Sequence, residues 1–460
     1  PEWCAIPFTD YLAQRKKDHD AAYALPRDSE ERRKAEEVNR QRDYARGREL
    51  KGWWYREMLA TDSPLTERMV LMWHNHFTSQ LNTVEDPRLM WEQNQLLRQH
   101  ALGNFGHFSL AIPFDPAMHR YLDSNSNVAR RPNENFAREV MELFTVGEGN
   151  YTEDDIKEAA RAFTGYQIGA EGKPVLVAGQ HDNGRKTVLG HKGVFDAKEI
   201  ITILLLKEKN VALNIANKLW REFVDDQPDD KAIYEVAAAF YRSRYQITAG
   251  LRELLLQERF WDPAVRGNLI KSPTELLIGM ARQLELDVKD PGVLVDFGKK
   301  LGQELFDPPN VKGWKGGNAW VSTHSLLARG EVLEAILGGR FGQAGSTPSG
   351  DAMMAPPSGG AMAGPAAAGD PAEAPKDKDD KKEKKKDKKE IPLAKQAVAE
   401  AAGKLAARSG WVAAARTAKE GGALAREMLL AIAPVAPIDS AWDFDRSLRA
   451  IILDPAFQVK

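Results

Sequence analysis

The chain has 460 residues, 43% hydrophobic and 28% charged, with a formal net charge of -2 and a single cysteine. That is enough apolar material to bury a large core, and length alone allows two or three domains. The near-zero charge gives no general pull toward nucleic acid or an anionic membrane, and Cys4 alone excludes an internal disulfide or a cysteine-built metal site.

No apolar run approaches the roughly 18 residues of a membrane span; the richest, Ile200 to Leu206, is far too short. The chain opens Pro1-Glu2-Trp3 without Met or a signal peptide, which reads as a processed or trimmed start.

In chain order, Ser29 to Met58 is rich in Glu, Arg and Lys until Trp53, Trp54 and Met58 enter, so an exposed helix is expected to become a buried one. Ser63 and Pro64 form a start signal for a helix that runs on through Glu67 to Phe77. Met90 to His100 is a third helix, with Leu89, Leu96 and Leu97 inward. Asn133 to Phe144 repeats Phe136, Val140, Met141 and Phe144 at helical spacing and is broken by Gly147 and Gly149. Thr152 with Asp155 is an acidic capping box for a helix over Glu153 to Phe163, where Ala159, Ala160 and Ala162 permit close packing.

Between 167 and 193 the pattern changes to strand and turn. Val175–Val177 and Thr187–Leu189 are expected to pair across the turn His181-Asp182-Asn183-Gly184, as a small hairpin or flap on a helical body. Asp196 with Glu199 caps the next helix, and helices follow to about Leu286. Gly342 to Pro392 is Gly, Ala, Pro, Ser and Met, then Lys376 to Glu390 holds only Lys, Asp and Glu; such a segment cannot offset the entropy of ordering and is expected to be disordered. Its lysines alternate with acids and have no aromatic to stack on bases, so no nucleic-acid partner is expected. Helices resume over Ala394–Ala407, Ala423–Ile432 and Phe444–Leu453. The expected organisation is a mainly α main domain over 1–341, the insertion over 342–392, and C-terminal helices over 393–460 that pack back on it.

The standard catalytic motifs are absent: no phosphate loop, dinucleotide turn, H-E-x-x-H or G-x-S-x-G. Three polar clusters stand out. In Trp73-His74-Asn75-His76-Phe77, His74 and His76 are good transition-metal ligands, but two residues apart on a helix they face nearly opposite sides, and the plainer reading is hydrogen-bonded core histidine. In Asn133 to Glu142, the residues Asn135, Glu139 and Glu142 share a helical face suited to a cation or to acid–base work; the plainer reading is a solvated face with a Glu134–Arg138 pair. His181 and Asp182, with Lys186 and His191, are either a ligand pair, or a base and its orienting acid, or a turn with a capping Asp.

These strings, with Gln93-Asn94, Ala101-Leu102-Gly103-Asn104-Phe105, Asp115-Pro116-Ala117-Met118, Glu158 to Gly165, Lys271-Ser272-Pro273 and Pro308-Pro309-Asn310-Val311-Lys312-Gly313-Trp314, resemble the bacterial domain-of-unknown-function 1800 proteins. The resemblance covers roughly Trp53 to Arg329, with an echo at Asp454-Pro455-Ala456-Phe457-Gln458; the family's usual opening helices are not recognisable ahead of it. It implies an exported protein, periplasmic or extracellular. It also implies a partner in a second exported family, domain-of-unknown-function 1501, which resembles sulfatases. It implies no activity.

Two functions remain open at this stage. One is a structural or binding subunit of an extracytoplasmic assembly. The other is a metal-dependent hydrolase-like enzyme, with His74, His76, His181 and Asp182 as ligands of zinc, manganese or iron and Glu139 or Glu142 as base. In both, His74 or His76 is expected beside Glu139 or Glu142, an arrangement that would raise the imidazole pKa.

Overall fold

The computed structural model describes residues 1–338, 410–418, 420–439 and 442–460. The low-complexity stretch and the helix expected over Ala394–Ala407 lie outside them. Helices α1 (Phe8–Tyr23) and α2 (Glu30–Ala60) come first, and Ser29 caps α2 by accepting the Arg32 amide. The first half of α2 is largely exposed, and from Gly47 onward Leu50, Trp54, Tyr55 and Met58 turn into the core, as its charge gradient requires.

Helix α3 (Pro64–His76) starts with Pro at its first turn, where the missing N–H is not needed. The short α4 (Leu81–Val84) and then α5 (Pro87–His100), α6 (Phe105–Ala111) and α7 (Pro116–Tyr121) follow, with Asp86, Asn104 and Asp115 as side-chain caps of α5, α6 and α7. Trp73, Phe77, Phe105, Phe108 and Phe144 form the aromatic centre, with Phe77 4.7 Å from Phe108 and 5.2 Å from Phe144, ring to ring. The Trp73 indole N–H is satisfied by the Ala101 carbonyl at 2.9 Å.

Helix α8 (Asn135–Glu139) changes into a π-turn over Val140–Phe144. The capping box of Thr152 and Asp155 opens α9 (Glu153–Ala162), whose alanines are fully buried. The strand region is present but paired differently from expectation. β1 (Tyr166–Ile168) pairs antiparallel with β2 (Pro174–Leu176), and β3 (Lys186–Val188) with β4 (His191–Gly193), as two separate two-stranded sheets. Gly172 and Gly190, both at positive φ, make two tight turns close to the strands, so each strand meets its nearest neighbour in sequence.

Helices α10 (Ala197–Leu205), α11 (Glu208–Phe223), α12 (Asp230–Arg242), α13 (Ile247–Leu256) and α14 (Glu258–Trp261) follow, and α11, α12 and α13 pack on one another in succession. Then come α15 (Pro273–Gln283), α16 (Gly292–Lys300), a long loop, α17 (Thr323–Leu337), and the C-terminal α18 (Gly410–Thr417), α19 (Gly421–Leu429) and α20 (Phe444–Leu453). The last segment returns to the body: Ile270 bridges Val459, Lys271 N–H donates to the Gln458 carbonyl at 2.9 Å, and Trp411 Nε1 donates to the Gln283 carbonyl. Among the described residues no helix is long and apolar enough to cross a membrane.

Candidate functional site

Each step along the last turn of α3 rotates the side chain by about 100°, so Trp73 and Phe77, four residues apart, share one face while His74, Asn75 and His76 point in three other directions. Trp73 and Phe77 enter the aromatic centre. His74 is 1% exposed and stands edge-on to Trp54 and Phe306 at 5.5 Å and beside Trp314 at 5.8 Å. Its Nε2 has no hydrogen-bond partner among the described residues, and burial pushes the imidazole down to about 3. Asn75 grips the loop before α17: its Oδ1 accepts the Trp314 amide at 2.6 Å and its Nδ2 donates to the Trp314 carbonyl at 3.1 Å.

His76 turns the other way. Its Nε2 faces the Phe144 carbonyl at 3.2 Å and its Nδ1 lies 2.8 Å from the amine of Lys218. That amine also donates to the Leu143 carbonyl at 2.7 Å, and Asn214 donates to the Thr145 carbonyl at 2.8 Å. The π-turn thus ends with three carbonyls capped in a row by α11 and α3, the satisfaction that a helix end requires. Burial pushes the Lys218 amine down to about 7, and burial together with Lys218 holds His76 well below its usual value.

Lys218 and His76 form part of the wall of a cleft of about 930 Å³ between α3, α11, α15 and the loop that carries Lys312 to Trp320. On its floor Arg68 Nη2 lies 3.0 Å from a carboxylate oxygen of Glu222 and 3.0 Å from one of Glu275, and Lys460 pairs with Glu275. Burial drives the Glu222 carboxyl upward against the pull of Arg68 and Lys460. Burial opposes ionisation of Glu275 too, but Lys460 and Arg68, with the Ser272 amide, hold it well below the usual range. Lys271 donates to the Phe457 carbonyl at 2.6 Å, and burial brings its amine down to about 8. Trp320 and Trp314 supply aromatic surface at the rim.

The expected ligand residues are spread over the molecule. His74 and His76 point apart, because α3 runs on to His76 instead of ending near His74. Neither histidine makes a hydrogen bond or ion pair to Glu139 or Glu142; the two strings meet through the Phe144 carbonyl, and both imidazoles are shifted down rather than up. Glu142 instead takes Lys312 at 3.4 Å and the Tyr151 hydroxyl at 3.3 Å. Glu139 is half-buried, and burial with the neighbouring Glu142 pushes its carboxyl up to about 7. The Glu134–Arg138 pair forms at 3.2 Å and extends to Glu153.

His181 Nδ1 faces the Thr164 carbonyl at 2.8 Å, and Asp182 takes the Arg161 guanidinium through two contacts, at 2.7 and 3.1 Å. Lys186 is fully buried and ties the turn with hydrogen bonds to the Asp182 and Gly184 carbonyls, while His191 is exposed. This cluster is a clamped turn on α9. Among the described residues no three His, Cys, Asp or Glu side chains gather so as to hold a metal ion.

The chain belongs to the family described as "Protein of unknown function (DUF1800)", whose model matches residues 5–459. No curated protein and no solved structure matches it.

Of the charged residues of the cleft, Lys271 stands in one of the strings that carry the family resemblance, whereas Lys218 and Glu222 on α11 and Arg68, Glu275 and Lys460 around the floor do not stand out in the sequence. A signal existed on α11. Lys218 is seven residues from Val211 and three from Ile215, and Glu222 is seven from Ile215, so both occupy the apolar stripe of the helix.

Proposed function

We propose that the protein is a binding subunit that takes a small anionic ligand in the cleft between α3, α11 and α15. The observation that carries this reading is charge: the lining holds eight basic side chains against four acidic ones. Glu67 pairs with Arg98 and Lys312 with Glu142, both partners lying outside the lining, so the balance stays basic. Among the described residues Arg221 and Lys315 pair with no carboxylate. A concave site with one sign of charge and low-dielectric walls concentrates the opposite sign. Trp320 at the rim adds an aromatic face for an apolar or ring portion.

The setting, an exported assembly with a second exported protein, is supported by the family resemblance alone. Cell fractionation and co-purification test that part separately. Among the described residues no specific arrangement favours the metal-dependent hydrolase. Calorimetric titration with small carboxylates, phosphate esters and sulfate esters, each beside its neutral counterpart, tests the binding reading. Saturable binding of charged members alone supports it, and equal binding of neutral members overturns it.

A further inference from the structure

We propose that Lys218 is a nucleophilic amine, and that the ligand of the cleft carries an aldehyde or ketone carbon with which this amine condenses. The proposal rests on the cleft being the ligand site and goes further by naming the reacting group.

The geometry around Lys218 assigns its protons. The Phe144 carbonyl can only accept, so His76 Nε2, 3.2 Å away, carries the imidazole hydrogen. Nδ1 of the same ring is then an acceptor, and it lies 2.8 Å from Lys218 Nζ. The Leu143 carbonyl, 2.7 Å away, is a second acceptor. A neutral amine has two N–H bonds and one lone pair. With both bonds directed at fixed acceptors, the lone pair takes the remaining position, and Lys218 is part of the cleft lining.

The surroundings favour that neutral form. No carboxylate pairs with Lys218 among the described residues; its partners are a carbonyl and a neutral imidazole. A desolvated lysine without a counter-ion is the usual way a protein makes this side chain nucleophilic. An arginine at the same place would stay charged and inert.

In the step, the lone pair attacks the carbonyl carbon and the carbonyl π pair moves to oxygen. The nitrogen proton on the Nδ1 hydrogen bond passes to His76, and the oxygen takes a proton from solvent in the cleft. His76 then returns its proton to the hydroxyl oxygen, which departs as water as the C=N bond forms and the C–O bond breaks, and the second nitrogen proton goes back to the solvent that first protonated the oxygen. The sum is amine plus carbonyl giving imine plus water, with nothing oxidised or reduced and His76 restored.

The test uses the full chain with two probes of equal carbon number, glycolaldehyde (neutral) and glyoxylate (anionic). The imine is trapped with cyanoborohydride and mapped by peptide mass spectrometry. Lys34, which is 74% exposed, serves as the internal reference. The expected result is glycolaldehyde labelling of Lys218 at least about tenfold faster than Lys34, as an activated amine requires, and loss of that label alone in Lys218→Arg. Labelling of wild-type Lys218 no faster than Lys34 overturns the proposal, whatever the variant does. If glycolaldehyde labels Lys218 rapidly but glyoxylate shows no added preference relative to its ratio at Lys34, the amine stands and the anionic reading of the cleft falls.

Discussion

Asn75 holds Trp314 by both backbone groups, accepting its amide at 2.6 Å and donating to its carbonyl at 3.1 Å across 239 residues of sequence. One amide side chain at the end of α3 thereby mimics a strand partner for the loop that roofs the cleft. The neighbouring Gly313 sits at φ 75°, and a Cβ there would lie 2.1 Å from the Asn75 side-chain oxygen. Any larger residue would both strain the backbone and break the clasp.

Asn75→Ala should therefore destabilise the protein by roughly 1–3 kcal/mol, the cost of leaving two backbone groups unpaired. Urea unfolding gives the magnitude. Hydrogen exchange gives the location, with amides of 312–320 exchanging faster than those of α11. Gly313→Ala should show the same pattern.

Glu222 and Glu275 both touch Arg68 but should respond oppositely to removal of charge. Glu222 is driven toward its protonated form, which Gln copies, so Glu222→Gln should change stability by less than about 1 kcal/mol. Glu275 is held ionised by Lys460 and Arg68 and also accepts the Ser272 amide at 2.8 Å. Glu275→Gln leaves two partly buried cations underpaired and should cost on the order of 1–2 kcal/mol, more than Glu222→Gln. Equal losses in the two variants, measured by urea unfolding at pH 7, would show that the floor does not distinguish the two carboxyls.

Acid should destabilise the fold through histidines buried neutral. His119 is 3% exposed, its Nε2 lies 2.9 Å from the Tyr166 carbonyl, and burial lowers its pKa from 6.5 to about 4. Between those values the unfolded chain holds the extra proton. Stability is intact above pH 6.5 and is lost as pH falls toward 4, with a slope of up to about 1.4 kcal/mol per pH unit. Asp115 acts with the opposite sign: burial raises it from 3.8 to about 6, so protonation in that window favours the folded state. His119→Gln, which keeps an N–H for Tyr166, should flatten the acid limb of the urea midpoint against pH. Asp115→Asn should steepen it.

Much of the fold was legible in the sequence because caps and periodicity are local. Thr152 with Asp155, Asp196 with Glu199 and the helix over Phe444–Leu453 stand where their residues place them. The π-turn over Val140–Phe144 was not legible, since Phe136, Val140 and Phe144 satisfy α-helical spacing equally well. The strand pairing failed for a related reason: period-2 stretches identify strands, but here Gly172 and Gly190 chose the partners.

The site was half legible. Asn75 and His76 of the string Trp73 to Phe77 do line the cleft, but chelating residue types suggested a metal, whereas the fold uses His74 as packing, Asn75 as a clasp and His76 as the acceptor for Lys218. Lys218, Glu275 and Lys460 come from three distant segments, and only the fold brings them to one cleft.

The central claim is that the cleft's basic lining selects an anionic ligand, and it is tested most directly by titrating the double variant Arg221→Ser/Lys315→Ser. Both side chains are exposed at the cleft and make no ion pair among the described residues, so the fold should be unaffected. Using the best anionic compound from the panel at low and high salt, the account predicts affinity weakened about tenfold at low salt, a smaller difference at high salt, and no change for a neutral counterpart. Identical affinities for wild type and variant at both salt concentrations would contradict it.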